Sequence, residues 1–482
     1  MLNIRPILFI LGLLLTTLAL AMSIPALIDA LTGHSDWQVF LASAGLTMFI
    51  GISLILTMRG SNMAIGIRDA FILTIGSWLG VTLFASLPFA FAELNLSFAD
   101  AFFEAMSGIT TTGATVIVNV DHAPPGILLW RALLQWLGGI GIIVTAVAVL
   151  PMLKVGGMQL FRMESSDTTE KVLPRTAQIS TAIGAIYFIL TALCALAYWL
   201  AGMPGFDAVA HSMTTIATGG FSTSNDSIGV FSKPSIEWIA VIFMIIGSLP
   251  FVLYLQAVRG RPMSLFRDSQ VRWFLCLALL LIIIIVLIVF TTQNLSTSHS
   301  LRISAFNTVS ILTGTGYSTA SFDSWGPLAL TIFFIIMFIG GCAGSTTCGI
   351  KIFRIKVLYE TAAAQIRRLV QPHGIFIPYY NRSPITDEVA MSVMSFFFFY
   401  VLVFIILALG LSALGLDFLT ALSGAATAIS NVGPGLGPVI GPDGNFATLP
   451  DSAKWLLSAG MLLGRLELFT ILVLFAPAFW KA

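Results

Sequence analysis

The chain has 482 residues, of which 57% are hydrophobic and only 9% are charged. A soluble protein carries roughly 25% charged residues, so this composition excludes a soluble domain with a large water-facing surface. The formal net charge of +1 gives no reason to expect nucleic acid as a partner. Apolar runs such as 274–290 and 396–414 are long enough, with their flanks, to cross a bilayer. The sequence therefore predicts an all-α polytopic membrane protein.

Segment 1–60 is predicted to form an N-terminal pair of transmembrane helices without a pore signature. Its first apolar run reaches about Ala30 without a small-x-small cleavage site, so we interpret it as a retained helix and not as a signal peptide. Four units follow, at residues 69–153, 175–258, 271–360 and 386–478. Each is expected to contain a spanning helix, a half-length re-entrant segment, a run that ends on glycine and a second spanning helix.

Each unit carries a glycine at the same place in a gap-free alignment: Gly113, Gly220, Gly316 and Gly433. Glycine lets the backbone turn its carbonyls inward, and four contributors are what a ring of cation-coordinating carbonyls requires. Irregular backbone at membrane depth is tolerated only where it lines a cavity or is buried in protein. The pattern therefore predicts four pseudo-symmetric helix–re-entrant pore loop–helix units around one potassium pore.

The distribution of charges predicts the orientation of the chain. Most of its 23 Lys and Arg residues, from Arg5 to Lys481, fall on one side of this topology, which the positive-inside rule makes cytoplasmic together with both termini. Three basic segments are expected on that side to contact a partner protein and lipid headgroups: 154–175, 259–272 and 351–382. On the opposite side, three acidic residues are expected to cap the re-entrant helices: Asp100, Asp207 and Asp417.

Three of the second helices depart from plain apolar sequence. In unit one, residues 136–141 allow close helix contact or a bend. In unit three, residues 339–349 are so rich in small residues that the helix is expected to break into a mobile loop that gates the pore, with tight helix packing as the alternative. In unit four, Arg465 is the candidate positive barrier in the permeation path, with pairing to an acid as the alternative, and Glu467 is expected to be structural.

The segments around the four glycines resemble the filter segments of the Trk/Ktr/HKT potassium transporter superfamily, and within it most closely the bacterial TrkH potassium-uptake subunits. The resemblance covers nearly the whole chain, including residues 156–160 and 464–467. The matching filter segments are 110–115, 217–223, 315–317 and 431–437.

This resemblance implies a K⁺ selectivity filter, a gating loop and a pore barrier at Arg465. The implied filter residues are Thr111, Thr112, Gly113, Thr218, Gly219, Gly220, Gly314, Thr315, Gly316, Asn431, Val432 and Gly433. The implied gating-loop residues are Gly340, Gly341, Gly344, Ser345, Thr346, Thr347 and Gly349. The family's loop is usually glycine-rich after Ser-Thr, whereas this chain has Thr347 and Cys348, so its gating is expected to differ in detail.

The resemblance also implies potassium uptake across the bacterial inner membrane by a homodimer with one pore in each protomer. A cytoplasmic TrkA-like ring would bind the regulatory nucleotide, because this chain has no Walker or GxGxxG loop, and K⁺ is its only expected ligand. Two alternatives stay open. A secondary transporter coupled to Na⁺ or H⁺ would be expected to have inverted repeats, whereas the four units share one orientation. A membrane-embedded enzyme would need a catalytic cluster that is not visible, so the chain is predicted not to be an enzyme.

Overall fold

Helices form almost all of the regular structure in the computed structural model, which describes residues 3–60, 66–148, 176–381 and 383–481. Within these ranges, one pair of two-residue strands joins Tyr379–Tyr380 to Ser383–Pro384. Seven of the described helices are long and apolar enough to cross a bilayer, and the number rises to nine if each of two bent pairs is one span. The prediction of an all-α polytopic membrane protein is confirmed.

The N-terminal pair consists of Ile4–Thr32 and Trp37–Met58, which pack along one another. The first of these helices also contacts unit one through a buried carboxylate. Asp29 Oδ1 accepts a hydrogen bond of 2.6 Å from the backbone N–H of Gly126, at the start of a helix in unit one. The N-terminal pair therefore packs directly against the first repeat.

Each unit has an outer helix, a short helix and an inner helix. The outer helices are Ile67–Ala85 (continued by Leu87–Phe91), Thr176–Leu200, Ser269–Thr292 and Asp387–Ala413. The short helices are Phe98–Ile109, Gly205–Ile216, Thr297–Leu312 and Phe418–Ser430. The inner helices are Pro125–Ala148, Pro234–Gly247 with Phe251–Val258, Pro327–Ile336 with Ile352–Val370, and Asp451–Arg465 with Phe469–Leu472. Two further short helices are Met263–Arg267 and Pro477–Lys481.

The units are arranged in a cycle, which follows from how the inner helices pack. The inner helix of unit one contacts the short helix of unit two, and the inner helix of unit two contacts the short helix of unit three. The inner helix of unit four contacts the short helix of unit one, which brings the end of the chain back to its beginning. The short helices therefore surround a common centre, as the fourfold repeat predicted.

The inner helices are broken more often than the sequence indicated. The expected break in unit three is present, but the inner helix of unit two also bends, by 92°, and that of unit four by 106°. In unit two the break precedes Pro250, which has no N–H to donate and disfavours helical backbone at Leu249. In unit four the helix ends at Arg465, and Glu467 adopts a left-handed φ of 59°. Only unit one keeps an uninterrupted inner helix through its described residues.

The glycines at 136–141 of unit one serve close contact and not a bend. A Cβ on Gly138 would come within 3.0 Å of the carbonyl oxygen of Ile109, and one on Gly139 would meet Tyr187 and Ala217. The inner helix therefore approaches the ends of the short helices of units one and two at backbone distance.

One of the three predicted aspartate caps is confirmed. Asp417 accepts a hydrogen bond of 3.1 Å from the backbone N–H of Thr420, and hydrogen bonds from Thr420 lower the pKa of this carboxyl. The short helix of unit one is capped instead by Ser97, which accepts from the N–H of Asp100, and Asp100 pairs with Lys454 at 2.5 Å. Asp207 lies in the first turn of its helix as expected, but among the recorded hydrogen bonds its carboxylate accepts from the hydroxyl of Thr223 at 2.7 Å and not from a backbone N–H.

Several of the predicted basic contacts lie outside the described residues. They are the segment 154–175 with Lys154, Arg162, Lys171 and Arg175, and Arg382. The segment 156–160, which belongs to the family resemblance, also lies outside the described residues.

Candidate functional site

The four aligned glycines face one another at the centre of the cycle. A Cβ built on any of them would come within 3.0 Å of a backbone carbonyl oxygen of the next unit. In the order of the chain, Gly113 meets Gly219, Gly220 meets Thr315, Gly316 meets Val432, and Gly433 meets Thr112. Unit four thus closes on unit one. We call the four acceptor residues, which directly precede the aligned glycines, the carbonyl ring: Thr112, Gly219, Thr315 and Val432.

The backbone at this centre alternates between left-handed and ordinary conformations in all four units. The aligned glycines have φ values between 82° and 111°. The residues two positions earlier also have positive φ: Thr111 at 53°, Thr218 at 50°, Gly314 at 68° and Asn431 at 54°. Left-handed backbone is unfavourable for Thr and is tolerated somewhat better by Asn, so three buried non-glycine residues hold this conformation against their own preference. Strain of this kind concentrates at functional sites.

Hydrogen bonds at the ends of the short helices hold the carbonyl ring in place. The N–H of each ring residue donates to the carbonyl oxygen of the hydroxyl residue five positions earlier, in every unit. The bonds are Thr112 to Ser107 at 2.8 Å, Gly219 to Thr214 at 2.8 Å, Thr315 to Ser310 at 2.9 Å and Val432 to Thr427 at 3.2 Å. These bonds attach the ring residues to their own short helices, and the ring carbonyl oxygens lie against the aligned glycines of the neighbouring units.

The chemistry of this centre suits a monovalent cation. The oxygens that it offers as candidate ligands are neutral backbone oxygens from four units, which can replace part of an ion's hydration shell. Above the ring, a cavity of about 160 Å³ is lined by all four aligned glycines and by Asp443. A cation could therefore reach the ring through a polar entrance.

Residues 340–349 of unit three form a buried loop against the opposite end of the ring. Thr346 Oγ1 shares its one proton between the carbonyl oxygens of Ile216 at 3.0 Å and Gly247 at 2.9 Å, and it accepts from Thr218 Oγ1 at 3.2 Å. The loop is also bonded to the break in unit two, because Cys342 N donates to Ser248 O at 3.0 Å. Thr346 therefore joins the loop directly to the inner end of the unit-two segment.

The loop satisfies its own polar groups, which is how a non-helical segment persists at this depth. Gly340 N donates to Ile350 O at 2.9 Å, and Gly341 N donates to Thr347 Oγ1 at 3.1 Å. A Cβ on Gly340 would clash with the carbonyl of Cys348, so this strand-like pairing requires glycine. The space that remains beside the loop is about 20 Å³, roughly the room of one water molecule.

Arg465 is buried and bonded to the loop. Its Nη1 donates to Thr346 O at 3.2 Å and to Cys348 Sγ at 2.6 Å, and its Nη2 donates to Gly138 O at 3.0 Å. None of the ion pairs recorded within the described ranges includes it. The guanidinium thus connects unit three, unit four and unit one below the ring.

Two of the neighbouring charges are paired with one another. Arg354, on the first turn after the loop, forms an ion pair with Glu467 at the break of unit four. Its guanidinium also lies 3.7 Å from the centre of the Phe396 ring. Glu467 is structural, as expected.

Comparison with known proteins places this architecture in a family. The family model TrkH, described as cation transport protein, matches residues 37–482. The chain belongs to the TrkH family. It is 47% identical to the Trk system potassium uptake protein TrkI of Halomonas elongata over 99% of this chain and 97% of the relative. It is 39% identical to the Trk system potassium uptake protein TrkH of Escherichia coli over 99% and 100%.

A solved structure agrees over the whole fold. The crystal structure of the potassium transporter TrkH from Vibrio parahaemolyticus superposes with a TM-score of 0.92 at 38% identity and covers 100% of both chains. These relatives are named as transporters and not as enzymes, so the prediction that the chain is not an enzyme is confirmed.

The TrkH fold brings together the residues that the sequence predicted, but it adds side chains that sequence reasoning missed. The inner helix of unit one carries Arg131 and Gln135, one turn apart and both buried, against the unit-two segment. Arg131 pairs with Glu104 at 2.8 Å and donates to Ser222 O at 2.8 Å. Glu104 in turn accepts from the N–H of Val116 at 2.9 Å. These two polar residues in an apolar helix were a usable signal of a functional contact.

Unit three is fixed by the residue after its aligned glycine, which the sequence placed in the filter segment without assigning it a role. The hydroxyl of Tyr317 contacts that of Thr214 and donates to His211 O at 3.2 Å. Ser310 Oγ donates to the carbonyl of Tyr317 at 2.7 Å. The segment of unit three is therefore attached to the short helix of unit two as well as to its own.

Proposed function

We propose that this chain takes up potassium ions across the bacterial inner membrane through the carbonyl ring, as a gated, channel-like pore. The observation that carries the proposal is the closure of the ring in the order of the four units. Four neutral carbonyls around one axis are the ligand set by which potassium pores replace the hydration shell of the ion. The names of the relatives, which are potassium uptake proteins, support the same ion.

The function can be tested in cells. A bacterial strain that lacks its own potassium uptake systems should grow at low external K⁺ when this chain is expressed with its regulatory partner. A strain carrying the same chain with Gly220 and Gly316 both replaced by serine is the matched control. Equal growth of the two strains, at equal membrane levels of protein, would contradict uptake through the ring.

The proposed filter residues are the twelve at positions 111–113, 218–220, 314–316 and 431–433. The proposed gate is the loop 340–349, which occupies the space directly below them. Hydrogen bonds through Thr346 hold the loop against the unit-two segment, and in that position the loop would stop an ion that has passed the ring. Opening would require these bonds to break and the loop to withdraw.

Shortening the loop should increase basal flux. We expect deletion of residues 343–346, measured without a partner in proteoliposomes, to raise the rate of K⁺ entry by about tenfold, because the plug is then too short to reach Ile216. The milder Thr346→Val variant removes one shared donated hydrogen bond and one accepted hydrogen bond, together worth about 1–2 kcal/mol, and should raise flux less. Unchanged or lower flux from a correctly assembled deletion variant would favour helix packing as the loop's role.

We further propose that both termini are cytoplasmic and that the working form is a homodimer bound to a nucleotide-binding ring. The helix Ile352–Val370 supports a route from that ring to the gate, because it begins directly after the loop and ends in the exposed residues Arg367 and Arg368. Movement of its far end by a partner would be transmitted along a continuous helix.

Charge reversal at the end of this helix should weaken partner binding. The double variant Arg367→Glu, Arg368→Glu should lower co-purification of a TrkA-like ring by about tenfold, since exposed pairs contribute up to about 1 kcal/mol each. Lys233→Glu, an exposed reversal on the predicted opposite side, is the control and should bind normally. Full retention of the partner by the double variant would leave lipid headgroups as the contacts of these arginines.

A further inference from the structure

The carbonyl ring is not equivalent in its four units, because one of its oxygens is bonded by a side chain. Gln135 Nε2, on the inner helix of unit one, donates to the carbonyl oxygen of Gly219 at 2.6 Å. Its Oε1 accepts from the backbone N–H of Phe221 at 3.1 Å. Within the described residues, no hydrogen bond is recorded to the carbonyl oxygens of Thr112, Thr315 or Val432.

The orientation of the Gln135 amide is determined by its two partners. Reversing the amide would place its oxygen against the oxygen of Gly219 and its NH₂ group against the N–H of Phe221. Both contacts would then be repulsive. The side chain is completely buried, so neither contact can be exchanged for bulk water.

The sequence of unit two is matched to this side chain. The other three ring residues are Thr112, Thr315 and Val432, whereas unit two alone has glycine at this position. A Cβ on Gly219 would clash with the Gln135 amide group. Gly219, which is glycine only in unit two, is therefore explained by the space that Gln135 occupies. Backbone conformation does not require glycine there, since the φ of Gly219 is not positive.

Arg131 keeps the unit-two segment within reach of Gln135. It lies one helical turn earlier on the same face, donates to Ser222 O at 2.8 Å and places its guanidinium 4.1 Å from the centre of the Phe221 ring. With Gln135, it holds three backbone groups of residues 219–222. The segment cannot swing away from the amide without breaking all of these contacts.

We propose that Gln135 is a specificity-determining residue that weakens one of the four ring carbonyls and thereby sets the preference of the ring among monovalent cations. The inference rests on the proposed function of the ring. A hydrogen bond to the Gly219 oxygen draws electron density away from the ion side and lowers the field that this ligand exerts. Cation selectivity depends on the number and field strength of such carbonyls.

Removing the bond has a predictable direction. Coulomb attraction grows as the separation shrinks, so a stronger ligand favours a small cation more than a large one. Freed from Gln135, the Gly219 oxygen should improve binding of Na⁺ more than that of K⁺ or Rb⁺. Gln135, which supplies no ligand atom, would thus act on the ion through the carbonyl oxygen of Gly219. It would be a positioning residue.

The test compares two buried glutamines. Gln135→Met keeps the length of the side chain but has no amide, and Gln135→Asn withdraws the amide by one methylene and guards against a folding failure of the first variant. The matched control is Gln270→Met, because Gln270 is equally buried and bonds the loop through Ala343 N at 2.8 Å. Proteoliposomes report Rb⁺ uptake in competition with Na⁺, and thermal unfolding of purified protein in K⁺, Rb⁺ or Na⁺ reports binding without transport.

For both Gln135 variants we expect the Na⁺ concentration that halves Rb⁺ uptake to fall by roughly two- to tenfold, the range that one hydrogen bond spans. Stabilisation by Na⁺ should rise in parallel, while Gln270→Met should change the uptake rate and leave the Na⁺/Rb⁺ ratio as in the wild type. An unchanged ratio in folded Gln135 variants, or an equal change in the Gln270 variant, overturns the inference alone. Absence of any cation effect on wild-type uptake and unfolding overturns the proposed function as well.

Discussion

Replacing Gly316 by serine is expected to reduce the preference for K⁺ over Na⁺ by at least about tenfold in protein that still folds. The new Cβ would overlap the carbonyl oxygen of Val432 and would lie 2.8 Å from Pro434. The position also has φ of 82°, where a side chain costs about 1–2 kcal/mol. The local backbone must therefore shift, and a ring that is displaced on one side loses the matched distances on which selectivity depends.

The control for this substitution separates backbone strain from damage to the ring. Gly415 has φ of 90° at the end of the outer helix of unit four, but a Cβ there meets nothing within 4 Å. Gly415→Ser therefore carries the same conformational cost without a clash, and it should leave the K⁺/Na⁺ flux ratio unchanged. If Gly316→Ser also left the ratio unchanged in well-folded protein, the assignment of the filter to these glycines would be wrong.

Arg465→Ala should raise the basal K⁺ flux of the isolated protein by about tenfold or more. Hydrogen bonds from a charged group contribute about 1.5–3 kcal/mol each, and the loss of one such bond from the closed state shifts its population by about tenfold. Arg465 makes three, two of them to the loop. The substitution would also remove a positive charge near the route of the ion, and both effects act in the same direction.

The variant Arg465→Lys separates the two effects. Lysine keeps the charge but cannot reproduce the planar fork that reaches Thr346, Cys348 and Gly138 together. If the arginine works mainly as a barrier of fixed charge, Arg465→Lys should conduct as slowly as the wild type. If it works mainly as a lock on the loop, Arg465→Lys should resemble Arg465→Ala. Loss of both proteins from the membrane would instead make Arg465 a structural residue and contradict the gating role.

The carbonyl ring could be predicted from the sequence because its backbone geometry requires one residue type at the same position in each unit. A left-handed position that faces a neighbouring carbonyl admits only glycine, so the same residue recurs at Gly113, Gly220, Gly316 and Gly433. The backbone carbonyl six places before each of these glycines makes the repeated bond to the segment, and a residue of any type could supply it. The hydroxyl groups at these positions make contacts that differ between units: Ser310 Oγ donates to Tyr317 O, whereas Thr427 Oγ1 accepts from the N–H of Gly433. The glycines therefore follow from a local rule, whereas these hydroxyl contacts do not.

The breaks and contacts that were missed depend on partners far apart in the chain. Glu467, at the break in the inner helix of unit four, pairs with Arg354, which lies 113 residues earlier. Gln135 and the Gly219 carbonyl are separated by 84 residues. No local propensity specifies such pairs, because tertiary contacts override them. Proline at position 250 was a local signal for the bend in unit two, but it lies inside an apolar run that otherwise indicates one continuous span.

The position of a bound ion tests the central claim most directly. Crystals of the wild-type protein grown in Rb⁺ should show anomalous difference density on the axis between the carbonyl oxygens of Thr112, Gly219, Thr315 and Val432. The density should weaken when the Rb⁺ in the crystals is replaced by K⁺, and it should be absent or displaced in Gly316→Ser. Ordered filter segments with no density at the ring, or with density only at sites outside it, would contradict the account.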